Sequence, residues 1–206
     1  MEKPIRHIVF DVGKVLIHYD PSLGFRDVIS DEDERAWFLA NVCTGAWNVE
    51  QDRGRPWAEA EAVLIAAHPE WEREIRAFRQ NWRLMVPHAL DDTVAILTAL
   101  IEEGRDITFL TNFAADTFLE AQQMYPFLTA GRGVTVSGRV KLIKPEREIF
   151  ALHTATFDLD PEATLFIDDS AVNVEGARAF GWQAVLFEGA DKLRADLARH
   201  GVLPAD

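Results

Sequence analysis

Asp11, Thr111, Lys144 and the pair Asp168-Asp169 are the residues of this chain from which a reaction can be built. Asp11 directly follows the apolar run Ile8-Val9-Phe10, Thr111-Asn112 follow Ile107 to Leu110, and Asp168-Asp169 follow Leu165 to Ile167. Lys144 stands just before Pro145 and a predicted helix starting near Glu146. Three carboxylates brought to one point repel, and each is pushed toward its protonated form. A hard divalent cation relieves that repulsion, and Mg²⁺ suits a few carboxylates plus water and a substrate phosphate. Lys144 as a point charge and the Thr111 hydroxyl as a hydrogen-bond donor would hold the remaining phosphate oxygens. The turn after Thr111 would add backbone N–H groups at a helix N-terminus. Asp11 would then attack phosphorus, giving an acyl phosphate that water hydrolyses, with the cation and Lys144 stabilising the transferring charge. Singly, each signal is ordinary: an Asp after a strand usually caps or turns, and a lone Lys is usually solvated. Their coincidence at strand ends singles them out.

Strands must deliver these groups. The three runs above, with Val134 to Val136 and Ala184 to Phe187, are apolar without alternation. Such strands are buried on both faces, as in a parallel sheet. Helical patterns at 90–103, 146–155 and 172–180 lie between them, the first followed by Gly104 and the last stopped by Gly181. Strand and helix in alternation predict an α/β doubly wound sheet whose ligands bind at the carboxyl ends of the strands. Residues 18–88 break the rhythm and predict a helical insert, leaving 1–17 and 89–206 as the core domain. Ser30 with Asp33 reads as a capping box, and Trp57–Ala67 and Glu70–Met85 read as further helices. Five of the six Trp fall in the insert and are expected to form mainly its core, with one or two facing a cleft. In the loop Asp52-Arg53-Gly54, expected to face the core domain, Arg53 is a candidate substrate contact.

Composition narrows the partners. The net charge of −13 over 206 residues argues against nucleic acid and anionic membranes. The lone Cys43 allows no internal disulfide and no thiolate metal cage. The apolar run before Asp11 is too short for a signal-peptide core or a membrane span, so a cytoplasmic location is expected. Nothing in the sequence sets an oligomeric state. Gly13-Lys14 is no phosphate-binding P-loop, because Val15 replaces the required Ser or Thr.

Four ordered segments carry a resemblance: Val9-Phe10-Asp11-Val12-Gly13-Lys14-Val15-Leu16, Phe109-Leu110-Thr111-Asn112, Lys144-Pro145, and Phe166-Ile167-Asp168-Asp169 continuing through Asn173 to Gly176-Ala177. Together they resemble the motifs of the haloacid dehalogenase (HAD) superfamily, over residues 5 to about 187. The insert resembles that family's C1 cap, and the opening motif is similar to the branch of glucose-1-phosphate phosphatases and epoxide-hydrolase-like proteins. The resemblance implies a Rossmann-like α/β core of parallel strands with the helical cap inserted, Mg²⁺ dependence and an aspartyl-phosphate intermediate. It implies Asp11 as nucleophile and metal ligand, the Gly13 carbonyl, Asp168 and Asp169 as further metal ligands, and Thr111, Asn112 and Lys144 on the phosphate.

One departure matters. Family phosphatases generally have a second Asp two residues after the nucleophile as general acid and base, and here Gly13 stands there. General acid help is worth ~10²–10⁴ in rate. Either another group supplies the proton, with His18 and Asp20 as nearby candidates, or the substrate has a good leaving group such as an anomeric or acyl phosphate, or activity is low. The expected function is a Mg²⁺-dependent phosphatase on a small phosphorylated metabolite, such as a sugar phosphate. Two alternatives stand beside it: a metal-free 2-haloacid dehalogenase using Asp11 on carbon, and a phosphate-ligand binding protein without turnover.

Overall fold

A computed structural model describes residues 3–204. The five apolar runs form strands β1 (His7–Phe10), β2 (Asp106–Thr111), β3 (Gly133–Val136), β4 (Thr164–Asp168) and β5 (Gln183–Leu186). They pair in parallel in the order β3-β2-β1-β4-β5. Successive side chains point to opposite faces. Ile8, Phe10, Phe109 and Ile167 pack on one side of the sheet, and Val9, Leu110 and Phe166 on the other. Both faces are covered, which explains the lack of polar alternation. The α/β fold expected from the sequence is therefore present.

The insert lies between β1 and β2. After a 3-10 turn at Pro21–Phe25 come α1 (Glu32–Asn41), α2 (Gly45–Asp52), α3 (Trp57–Ala67), α4 (Glu72–Gln80) and α5 (Trp82–Met85). The remaining helices are α6 (Asp91–Glu102), α7 (Ala115–Met124), α8 (Ser137–Val140), α9 (Arg147–Phe157), α10 (Ala171–Phe180) and α11 (Ala190–Arg199). The chain enters and leaves the insert side by side, through a bridge between Ile17 and Ala89 and a His18 N–H bond to the His88 carbonyl at 3.0 Å.

Two local expectations are corrected. The N-cap of α1 is Asp31, whose carboxylate accepts the Glu34 N–H at 2.8 Å, so Ser30 lies one residue outside the cap. The single helix expected over 70–85 is broken at Asn81, whose side-chain amide donates to the Gly24 carbonyl at 2.8 Å.

Aromatic rings build the insert's interior. Phe25 packs on Phe38 at 5.2 Å, Phe38 on Trp71 at 5.1 Å, and Trp47 on Phe78 at 5.2 Å. These rings are continuous with the apolar layer over the sheet face that carries Phe10 and Phe109. No helix among the described residues is long and apolar enough to cross a membrane.

Candidate active site

Strand register brings the reactive groups together. Phe10 lies opposite Phe109 on one side and Ile167 on the other, and the Asp11 N–H donates to the Ile167 carbonyl at 2.9 Å. Asp11, Thr111 and Asp168 therefore meet at the carboxyl edge, where the strand order turns from β2 and β3 to β4 and β5. Lys144 reaches the same edge from the loop before α9. Its Nζ donates to Asp11 Oδ1 at 2.8 Å, Asp168 Oδ2 at 2.7 Å and the Leu110 carbonyl at 3.1 Å. The three side chains are almost fully withdrawn from solvent. Burial alone would strip Lys144 of its proton, but the two carboxylates outweigh it and hold its pKa above the usual value. Lys144 is thus a fixed cation.

The acids remain crowded. Asp11, Asp168 and Asp169 each offer an oxygen within 4.8 Å of the others. Burial pushes Asp11 upward, Lys144 pulls it down, and the neighbouring Asp168 adds to the rise. Asp169 is also raised, by burial first and then by the charge of Asp168. Hard oxygen donors under mutual repulsion fit a divalent cation of the Mg²⁺ type. Asp168 is also locked in place, with its Oδ1 accepting the Ser170 N–H at 2.8 Å and the Asn173 amide at 3.0 Å.

The other expected site residues divide. Thr111 and Gly13 line the same cavity as Asp11 and Lys144. Asn112 lines it too, but its amide is used as a clamp: Oδ1 accepts the Lys144 N–H at 2.9 Å and Nδ2 donates to the Lys144 carbonyl at 3.1 Å. Arg53 is absent from the cavity wall and pairs with Glu146 at 2.8 Å, which neutralises it at the rim of the core domain. His18 stacks on His88 with ring centroids 4.8 Å apart, and Asp20 caps the 3-10 turn by accepting the Ser22 N–H at 2.9 Å. Neither faces the cavity.

The cavity holds about 360 Å³. Its floor is the strand edge, and its roof is the insert: Tyr19, Asn48, Val49, Asp52, Trp57 and Trp82. Two of the insert's Trp therefore do face a cleft. The sequence points to the loop Asp52-Arg53-Gly54 through Arg53, but the cavity is lined by its neighbour Asp52. It is the last residue of α2, where the chain turns through Arg53 into Gly54 at φ +102°. A Cβ on Gly54 would stand 2.9 Å from the Gly138 carbonyl, so only glycine lets the insert settle here. Ser137 completes the join: its hydroxyl accepts the Phe113 N–H at 2.8 Å and donates to the Asp52 carbonyl. Asp52 is only partly buried as a whole residue, but its carboxyl end is enclosed. Burial pushes that carboxyl up to about 7, against the pull of the Ala114 N–H and with a contribution from the charge of Asp11.

Known proteins share this architecture. Residues 142–205 match the model of the HAD-hydrolase-like family. A HAD family enzyme of Bacteroides thetaiotaomicron, solved with magnesium and inorganic phosphate, superposes with TM-score 0.70 at 21% identity over 90% of this chain and 95% of that one. A predicted HAD-like hydrolase of Porphyromonas gingivalis gives 0.71 at 21% identity over 96% and 98%. The L-2-haloacid dehalogenase of Xanthobacter autotrophicus, with chloropropionic acid covalently bound, gives 0.65 at 17% identity over 97% and 85%. The chain has the fold of these proteins, and its carboxyl-terminal segment matches the HAD-hydrolase-like family model.

Proposed function

We propose that this protein is a Mg²⁺-dependent phosphatase acting on a small phosphorylated metabolite through an aspartyl-phosphate on Asp11. In this reading residues 18–88 are a C1-type cap, and the chain belongs with the glucose-1-phosphate phosphatase and epoxide-hydrolase-like branch. The observation that carries it is the floor of the cavity, where three carboxylates lie within 4.8 Å of one another and two of them, Asp11 and Asp168, hold the buried ammonium of Lys144. Asp11, Asp168, Asp169 and the Gly13 carbonyl would hold the metal, and Thr111 and Lys144 the phosphate. Bound there, Mg²⁺ would offset the charge gathering on the transferring group. Lys144 orients one oxygen of Asp11, leaving the other free to approach phosphorus. Attack forms the Asp11 acyl phosphate, a mixed anhydride, and breaks the phosphorus bond to the leaving oxygen; water then breaks the new oxygen–phosphorus bond, releasing phosphate and restoring the carboxylate.

Attack on a haloacid is less well supported. That reaction uses no metal, and it would leave the acid pair Asp168-Asp169 crowded against Asp11 with no divalent cation to relieve it. The test is hydrolysis of p-nitrophenyl phosphate and acetyl phosphate with and without Mg²⁺. Wild type should turn both over only with Mg²⁺, and Asp11→Asn should abolish turnover. Absence of phosphate release from wild type on both would refute the reading.

A further inference from the structure

We propose that Asp52, presented by the insert, gives the leaving group its proton and takes one back from water in the second step. This rests on the phosphatase reading above and fills the role that Gly13 cannot. In-line displacement puts the leaving oxygen on the side of phosphorus away from the nucleophile. Asp11 is on the floor, so the leaving oxygen faces the roof, and Asp52 is the carboxyl there among the described residues. The other titratable groups on the wall are committed or unsuited. Asp11 attacks, Asp169 belongs to the metal cluster, and Lys144 is held by two carboxylates. Lys14 is exposed, and burial drives the Tyr19 phenol further from release of its proton. Nothing lies within 4 Å of where a Cβ on Gly13 would be, so that position is open rather than filled by a substitute.

Asp52 is also well anchored for the task. Its Oδ2 accepts the Asn48 amide at 3.2 Å, and its own carbonyl is tied to Ser137. Because the enclosed carboxyl titrates near neutrality, it carries a proton where an ordinary Asp has none. In the first step the Asp11–phosphorus bond forms, the phosphorus–oxygen bond to the alcohol breaks, and the Asp52 proton passes to that oxygen. In the second, the Asp52 carboxylate takes a proton from water as its oxygen attacks phosphorus, phosphate leaves, and both carboxyls return to their starting states.

The experiment is the leaving-group dependence of kcat/KM over substituted phenyl phosphates, from p-nitrophenyl to unsubstituted phenyl, for wild type, Asp52→Asn and Asp52→Glu. kcat/KM isolates the steps up to loss of the alcohol. Asparagine keeps a side-chain oxygen for Asn48 and the backbone bond to Ser137, so the fold should survive. The expected result is a steep dependence in Asp52→Asn: a loss of about 10²-fold or more on phenyl phosphate against less than about 5-fold on p-nitrophenyl phosphate. Asp52→Glu should recover part of the phenyl phosphate loss. Equal loss across the series, or none, would overturn the role of Asp52 while leaving the phosphatase reading intact. Wild type inactive throughout the series would overturn both.

Discussion

At the scale of single residues, the site is a problem of charge placement. Lys144 is buried as a cation because two acids meet it, whereas Asp52 is enclosed with no ion-pair partner among the described residues. Its pKa shift therefore has a stability consequence opposite to that of an ion-paired acid. Near its ordinary value of 3.8 and below, folded and unfolded states both hold the proton; from there up to about 7 only the folded state does. Its contribution to stability is thus lost as pH rises through that window. Asparagine has no such cost. In metal-free protein, the denaturant stability of Asp52→Asn minus that of wild type should grow from pH 4 to pH 8, and a difference that is flat or falls with pH would contradict the assignment. The floor residues were readable because a polar residue after a buried strand has only one place to go. Asp52 was not, since its position depends on how the insert folds back, and in sequence nothing separates its carboxyl from that of an ordinary helix-end acid beside Arg53.

At the scale of elements, the strands were legible for a simple reason: burial on both faces writes a continuous apolar run. The insert's helices were legible as helices but not in detail, because Asp31 and Ser30 are equally good caps by type, and the break at Asn81 depends on a partner 57 residues away in sequence. What fixes the insert on the core domain is a contact no periodicity reports. Gly54 abuts the Gly138 carbonyl in a backbone conformation closed to other residues, and alanine there adds both a clash and roughly 1–2 kcal/mol of backbone strain. Gly54→Ala should therefore lift α2 away from the strand edge. The expected kinetic signature is a selective loss on phenyl phosphate, as in Asp52→Asn, with p-nitrophenyl phosphate spared. Unchanged kinetics on both substrates would show that the join tolerates displacement.

At the scale of the whole molecule, the net charge of −13 includes a concentration of acid at one edge of the sheet. A cation bound there should stabilise the folded chain by mass action. At about 100 times its Kd, Mg²⁺ adds about 2.7 kcal/mol, which for a chain of this size raises Tm by roughly 5–10 °C. Scanning calorimetry should show that rise with MgCl₂ and its reversal by EDTA, with NaCl of equal ionic strength giving much less. Asp169→Asn should lose most of it, and an equal rise in that variant would place the ion elsewhere.

The junction at Ile17 and Ala89 lets the polypeptide leave the sheet and return at nearly the same point. The stretch between is in effect a cassette: its replacement leaves the strand pairing on either side intact, provided that it again covers the sheet face of Phe10 and Phe109. If the proton donor belongs to that cassette, exchanging it alters acid–base chemistry and substrate fit in a single event. A lineage, or an engineer, could then redirect such a catalyst by recombination, without the nucleophile ever changing.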